Sequence, residues 1–340
     1  MNTLNIKRLF FTLTILLLAL APLSAQEQEN EPLNIRIGVQ RGTLFNIPQL
    51  YDNLVEALNV GLDREVTVEL LLFTSGPPLL EAFNSGSIDI GGTGDTPPIF
   101  AQAAGVPLVY VSSSLSTGGS ALLVPEDSPI QSVSELAGKQ VAFSPGSSAH
   151  LFTIRALELN GLSYEDIEPV FLQPGEARAA FDSGNLAAWT IWDPFFTIAV
   201  NTVNARPLID SSDLPPVRGY QLASATFVQE QPEALQIILE QSQAATRWSI
   251  DHVDEYAAFL EETSGVPAEV WLEIREQRGI NEQEYLNEDI IAEQQDIADT
   301  FYDLGLIPEP IDISEVVWVP DGIDITLGGI IDPLDVEDEE

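Results

Sequence analysis

The chain has 340 residues, 45% of them apolar and 19% charged, with 53 acidic side chains against 13 basic ones, a formal charge of −40. That length suits two ordinary domains around a sizeable core, while the charge repels nucleic acid and anionic lipid heads and argues against both as partners. The absence of cysteine removes thiol nucleophiles, cysteine zinc sites and disulfides, and with His150 and His252 as the only histidines, neither a metal nor a cofactor is expected.

Lys7 and Arg8 precede an apolar run from Leu9 to Leu20, and Pro22-Leu23-Ser24-Ala25 offers a small residue for cleavage after Ala25. Basic, apolar, small is the order of a secretory signal, and the run is short for a membrane span. An uncleaved anchor is the alternative reading. With no cysteine after the run, a bacterial lipoprotein anchor is ruled out. Removal of residues 1–25 takes away two cations and leaves 11 against 53 acids, a charge of −42, with Lys139 as the one lysine. Such a chain is either a generic acidic soluble protein or one that faces concentrated salt, which screens self-repulsion.

Leu33 to Val39 alternates as a strand does, with Gly42 as a turn residue, and Ile47 to Leu62 has helical spacing. Val66 to Phe73 predicts a second strand, Pro77 to Phe83 a short helix, and Ile88 to Gly92 a third strand. Pro97-Pro98 open a helix that ends at Gly105, and Val106 to Ser113 returns as a strand. A second series holds the strand-like segments Ala121 to Val124, Gln140 to Phe143, Pro169 to Leu172 and Ala187 to Ile191. Helices over Ala149 to Leu159 and Glu176 to Phe181 lie between them. The pattern then returns to one strand, Leu222 to Val228, and to helices over Glu230 to Ile250, Val253 to Thr263, Ala268 to Glu276 and Glu282 to Asp303. Such alternation points to α/β lobes with mostly parallel sheets and makes a middle domain inserted into an outer one plausible. The end of the chain, with six acids in its last nine residues, reads as a solvated tail from Pro320.

Ligands of open parallel sheets bind beyond the carboxyl ends of the strands. Four turns there carry small donor residues ahead of a helix: Gln40-Arg41-Gly42-Thr43, Thr74-Ser75-Gly76-Pro77, Thr93-Gly94-Asp95-Thr96 and Ser144-Pro145-Gly146-Ser147-Ser148. A helix start has unpaired N–H groups and welcomes an oxyanion, although ordinary capping by Ser, Thr or Asp explains each turn singly. A dinucleotide fingerprint, a Walker-type loop and a Gly-x-Ser-x-Gly elbow are all absent. Ser147 and His150 lack a third orienting group, which argues against a nucleophile–base pair, and His252 reads as a surface residue.

Gly92-Thr93-Gly94-Asp95-Thr96-Pro97-Pro98, Ser144-Pro145-Gly146-Ser147-Ser148-Ala149-His150 and Trp189-Thr190-Ile191-Trp192-Asp193-Pro194 resemble segments of the aliphatic-sulfonate-binding proteins of bacterial ABC importers. Their broader group also takes taurine and nitrate. Ile37 to Gly42 and Leu123 to Ile130 extend the resemblance, which spans residues 33–310 in consistent order. It implies a type II periplasmic binding protein: two α/β lobes joined by two crossover strands, a cleft for an alkanesulfonate, and an ABC permease in the inner membrane as partner. On that reading the signal is cleaved and the protein is a periplasmic monomer. Residues 33–120 and 225–318 form lobe 1, 121–224 the inserted lobe 2, and 319–340 the tail. The cleft residues it implies are Gln40, Ser75, Gly76, Gly94, Asp95, Thr96, Ser147, Ser148, Trp192 and Asp193. Trp192 packs either on the ligand's alkyl part or in the core. Asp193 either caps a helix or selects an amine-bearing ligand such as taurine. Nitrate and thiamine-precursor ligands stay open as rivals. Ser144-Pro145 stands where the family more often carries Gln-Lys.

Overall fold

The computed structural model describes residues 32–40, 48–116, 119–279 and 282–332. The expected signal segment 1–25, the Arg41-Gly42-Thr43 part of the first turn and the acidic end from Pro333 lie outside the described residues. The first series forms β1 (Leu33–Gln40), α1 (Pro48–Leu62), β2 (Val66–Phe73), α2 (Gly76–Asn84), β3 (Ile90–Gly94), α3 (Thr96–Ala103) and β4 (Leu108–Ser116). The second forms β5 (Ser120–Val124), β6 (Gln140–Phe143), α4 (Ser148–Leu159), β7 (Glu168–Phe171), α5 (Pro174–Asp182), β8 (Ala188–Trp192), α6 (Phe195–Val203) and β9 (Arg206–Asp210). The chain then gives β10 (Val217–Ser224), α7 (Ala225–Glu230), α8 (Pro232–Asp251), α9 (Val253–Ser264), α10 (Ala268–Gln277), β11 (Glu284–Tyr285), α11 (Glu288–Asp303) and β12 (Gly329–Ile330).

The strands make two sheets, ordered β12-β11-β4-β10-β3-β1-β2 and β7-β6-β8-β5-β9. The two repeat one plan. In the first sheet β2, β1 and β3 run parallel, and β10 lies antiparallel between β3 and β4. In the second, β7, β6 and β8 run parallel, and β5 lies antiparallel between β8 and β9. Each antiparallel strand is the one that has just arrived from the other lobe. The two crossovers, β4 to β5 and β9 to β10, run side by side. Ser116 pairs with Val217, and Ser120 accepts from the Ser211 N–H at 2.9 Å.

Both faces of the first sheet are covered. Ile35 and Ile37 pack with Leu54 and Leu58 of α1 and with Leu235 and Ile238 of α8, while Tyr110 and Leu222 join Leu79 of α2, Ile99 of α3 and Phe301 of α11. The second sheet is sandwiched in the same way, with Val141 and Phe143 against Ala149 and Phe152 of α4, and Ala142 and Trp189 against Phe181 of α5. Burial of these side chains contributes roughly 1.5–3 kcal/mol each.

Four sequence expectations need correction. The strand expected over Leu222 to Val228 is β10, which stops at Ser224 because the Ser224 hydroxyl accepts the Phe227 N–H at 3.1 Å and starts α7. Since β10 lies in the first sheet, residues 217–224 pair with lobe 1, although the expected bounds had put them in the inserted segment 121–224. The helix expected from Glu282 begins at Glu288, where Asn287 accepts the Ile290 N–H at 2.9 Å, and β11 precedes it. The segment from Pro320 is not solvated throughout. Ile331 is fully buried and its N–H reaches the Gln283 carbonyl at 3.0 Å, which holds β12 against β11.

Candidate functional site

The donor turns meet where the two lobes face each other. In lobe 1, Gln40 ends β1 and donates to the Gly92 carbonyl at 2.9 Å. Ser75 stands before α2, fully buried, with no side-chain capping bond. It donates instead to Gln173 Oε1 of lobe 2 at 2.9 Å. Gly76 follows at the helix start. A Cβ there would overlap Thr93 Oγ1 and the Pro97 ring, so only glycine lets α2 approach the end of β3 this closely. Gly94 is walled by the other lobe, because a Cβ on it would overlap Ser148 Oγ.

Asp95 lies deepest. Its Oδ1 accepts from Thr96 N–H at 2.6 Å, Thr96 Oγ1 at 2.9 Å and, across the lobes, Ser148 Oγ at 2.6 Å. Its Oδ2 is buried with no partner, as is the neighbouring Thr93 Oγ1. Burial pushes the Asp95 carboxyl above the usual carboxylate range, against the pull of its hydrogen bonds and of Arg155. Gln294 of α11 holds the Asp95 carbonyl at 2.6 Å and fixes the turn from behind.

In lobe 2, Ser147 precedes α4 but donates back to the Ser144 carbonyl at 2.7 Å. Its hydroxyl proton is thus committed inside its own turn, and that of Ser148 goes to Asp95. The open donors at this helix start are backbone N–H groups, as at any helix N-terminus. Trp192 ends β8, half-buried, and packs against both cores of lobe 2. Asp193 uses both oxygens: Oδ1 accepts from the Thr197 N–H at 3.0 Å and Thr197 Oγ1 at 2.7 Å, while Oδ2 pairs with Arg278 Nη2 of lobe 1 at 2.7 Å. These bonds hold the first turn of α6 and tie it to Arg278 of lobe 1.

A family model described as NMT1-like matches residues 45–260. A relative from Escherichia coli (strain K12) named for binding aliphatic sulfonates is 38% identical over 293 residues, covering 86% of this chain and 91% of that protein. One of the same name from Bacillus subtilis (strain 168) is 30% identical over 290 residues, 83% of this chain and 85% of that protein. The chain belongs to the NMT1-like family, among its aliphatic-sulfonate-binding proteins. A solved structure of the alkanesulfonate-binding protein from Xanthomonas axonopodis pv. citri, bound to MOPS, is 34% identical with a TM-score of 0.79, covering 85% of this chain and 99% of that one. The two-lobed architecture of this family member is the periplasmic binding protein fold.

Within this member of the family, His150 is a packing residue. It stacks on Phe143 with ring centroids 4.8 Å apart. Nδ1 accepts the Gly146 N–H at 3.3 Å, which leaves Nε2 to donate to the Tyr164 hydroxyl at 3.0 Å. Burial lowers its pKa to about 4, so the ring is neutral at pH 7. His252 is half-buried rather than exposed, stacked on Trp248 at 4.8 Å. Sequence reasoning missed Gln173, Arg278 and Gly119. Gln173 had a local signal, since it stands ahead of Pro174-Gly175 at a helix start. Arg278 closes α10 with no periodic mark, and reaches across to Asp193 only because Gly119 leaves room for its guanidinium. Among the described residues, no group of three His, Asp or Glu side chains gathers as metal ligands would.

Proposed function

We propose that this chain is the substrate-binding protein of an ABC importer, which captures aliphatic sulfonates between its lobes and delivers them to a membrane permease. The observation that carries this reading is the convergence of donor turns from both lobes on one cleft, at Ser75, Gly94-Asp95-Thr96 and Ser147-Ser148. A sulfonate is a permanent monoanion with three acceptor oxygens. Neutral N–H groups at helix starts satisfy those oxygens without a buried cation, which matters in a chain whose overall field repels anions. Gln40, Gly76 and Trp192 complete the proposed walls, with Trp192 against the alkyl part, and Asp193 orders the rim through Thr197 and Arg278. The role is one of binding rather than turnover, in keeping with relatives that are named as binding proteins. The chain acts in the periplasm as a monomer after loss of residues 1–25.

Calorimetry of the mature protein against alkanesulfonates, taurine, nitrate and sulfate tests this, in buffers that are not themselves sulfonates. The expected result is tightest binding of an alkanesulfonate, with sulfate at least about tenfold weaker for want of an alkyl group. Tighter binding of nitrate or taurine would overturn the ligand class.

A further inference from the structure

The carboxyl of Asp95 has an asymmetry that the proposed function leaves unused. All three of its donors fall on Oδ1, and one of them, Ser148, comes from the opposite lobe. Oδ2 is sealed from solvent without a partner. Asp166 and Asp324 also take two donors on one oxygen, but at exposed positions; at Asp95 the second oxygen is buried without a donor, where the charged form is costly and a neutral carboxyl places a hydroxyl. The same cleft is the proposed seat of a permanent anion, and two negative charges side by side in a low-dielectric cleft repel strongly.

We propose that capture of an alkanesulfonate is coupled to uptake of one proton, which stays on Asp95 Oδ2 and neutralises the carboxyl beside the bound anion. This rests on the sulfonate reading above. The coupling is built into the lobes: parting them withdraws Ser148, opens Asp95 to water and returns its carboxyl toward the ordinary range near 4. Closing them buries the group again and raises its pKa. The groups around it are few. Arg155 of α4 favours the charged form through space, while burial holds Tyr110 of β4 and Tyr220 of β10 in their neutral forms. His150 of α4 is neutral at pH 7 and supplies no compensating charge. Thr93, Thr96 and Gln294 are uncharged. The sign follows: between the open and closed pKa values of Asp95, ligand-bound protein holds more protons than free protein, so affinity falls as pH rises.

The test is calorimetry of the mature protein with butanesulfonate, at several pH values between about 5 and 8, in phosphate and in bis-tris, whose different ionisation heats report protons taken up. Net proton uptake on binding is expected over part of that range, with affinity falling there as pH rises. Asp95→Asn, which keeps an acceptor and a fixed N–H donor, is expected to bind with no proton uptake and a flat pH profile. A wild type that binds with no uptake across the whole range overturns the coupling, and uptake that survives intact in Asp95→Asn overturns its assignment to Asp95. If the variant does not fold, difference infrared spectra of the wild type decide. A protonated-carboxyl band that grows on ligand addition supports the coupling, and its absence rejects it. A wild type that binds no alkanesulfonate at any pH refutes the proposed function itself, a result distinct from binding without proton uptake.

Discussion

Ser147 and Ser148 adjoin in sequence, yet one donates within its own turn and the other across the cleft, so the two separate stability from capture. Ser147→Ala removes a buried hydrogen bond inside lobe 2, and is expected to lower unfolding free energy by about 0.5–1.5 kcal/mol with affinity for an alkanesulfonate nearly unchanged. Ser148→Ala removes an interlobe donor from Asp95, and is expected to weaken binding about three- to twentyfold with a smaller loss of stability. Titration and melting of each single variant decide this, and equal effects of the two on affinity would count against the assignment. His150 makes a prediction about pH. Its folded pKa of about 4 lies below the unfolded value of 6.5, so as pH falls the unfolded chain takes up the proton first. The contribution is full above about pH 6.5 and is lost progressively toward pH 4, reaching a loss of about 2 kcal/mol at pH 5. Denaturant unfolding at pH 5 and pH 7, for wild type and His150→Gln, measures it. The variant should lose that part of the pH dependence, and an unchanged slope would reject the role.

Two glycines show how elements set the cleft. A side chain at Gly76 collides with Thr93 and Pro97 of the same lobe, so Gly76→Ala should destabilise the fold by about 1–3 kcal/mol, read by thermal or denaturant unfolding. A side chain at Gly94 collides with Ser148 of the other lobe, and separating the lobes relieves it. Gly94→Ala should therefore melt close to wild type while binding ligand at least tenfold more weakly; the reverse pattern would place Gly94 in lobe 1's own packing. The donor turns were legible in the sequence because small polar residues between a strand and a helix leave a local mark. The bonds that join them were not: Asp95 with Ser148 spans 53 residues, Ser75 with Gln173 spans 98, and no periodicity carries such pairings. The strand–helix alternation likewise marked β1 to β8 but ran β10 into α7, since Leu222 to Val228 is apolar but for Ser224 and Thr226 and the Ser224 cap divides it. The helix α6 and the strand β9 passed unmarked, because the half-buried run Phe195 to Val203 and the short Arg206–Asp210 lack clear alternation.

Across the whole molecule, charge and hinge are the two properties with measurable consequences. Five arginines form six ion pairs among the described residues, and five of the six acidic partners lie at exposed or half-exposed positions; with 53 acids against 13 basic residues in the chain, most acids have no cation to pair with. Screening that repulsion should raise the melting temperature of the mature protein steadily with NaCl; a midpoint that stays flat or falls above low salt would show that repulsion does not limit stability. The proposed hinge lies at the two connections between the sheets, β4 to β5 and β9 to β10, where Ser116 pairs with Val217 and the Ser211 N–H donates to the Ser120 carbonyl. Interlobe bonds of Asp95, Ser75 and Asp193 join the two lobes, and on the proposed function a ligand is expected to favour the arrangement that makes them, because binding shifts a population only through differential affinity. Capture of an alkanesulfonate between closing lobes is tested by small-angle X-ray scattering of the mature protein with and without saturating butanesulfonate. The radius of gyration should fall when the ligand is added, and an unchanged radius at proven saturation would contradict capture by closure.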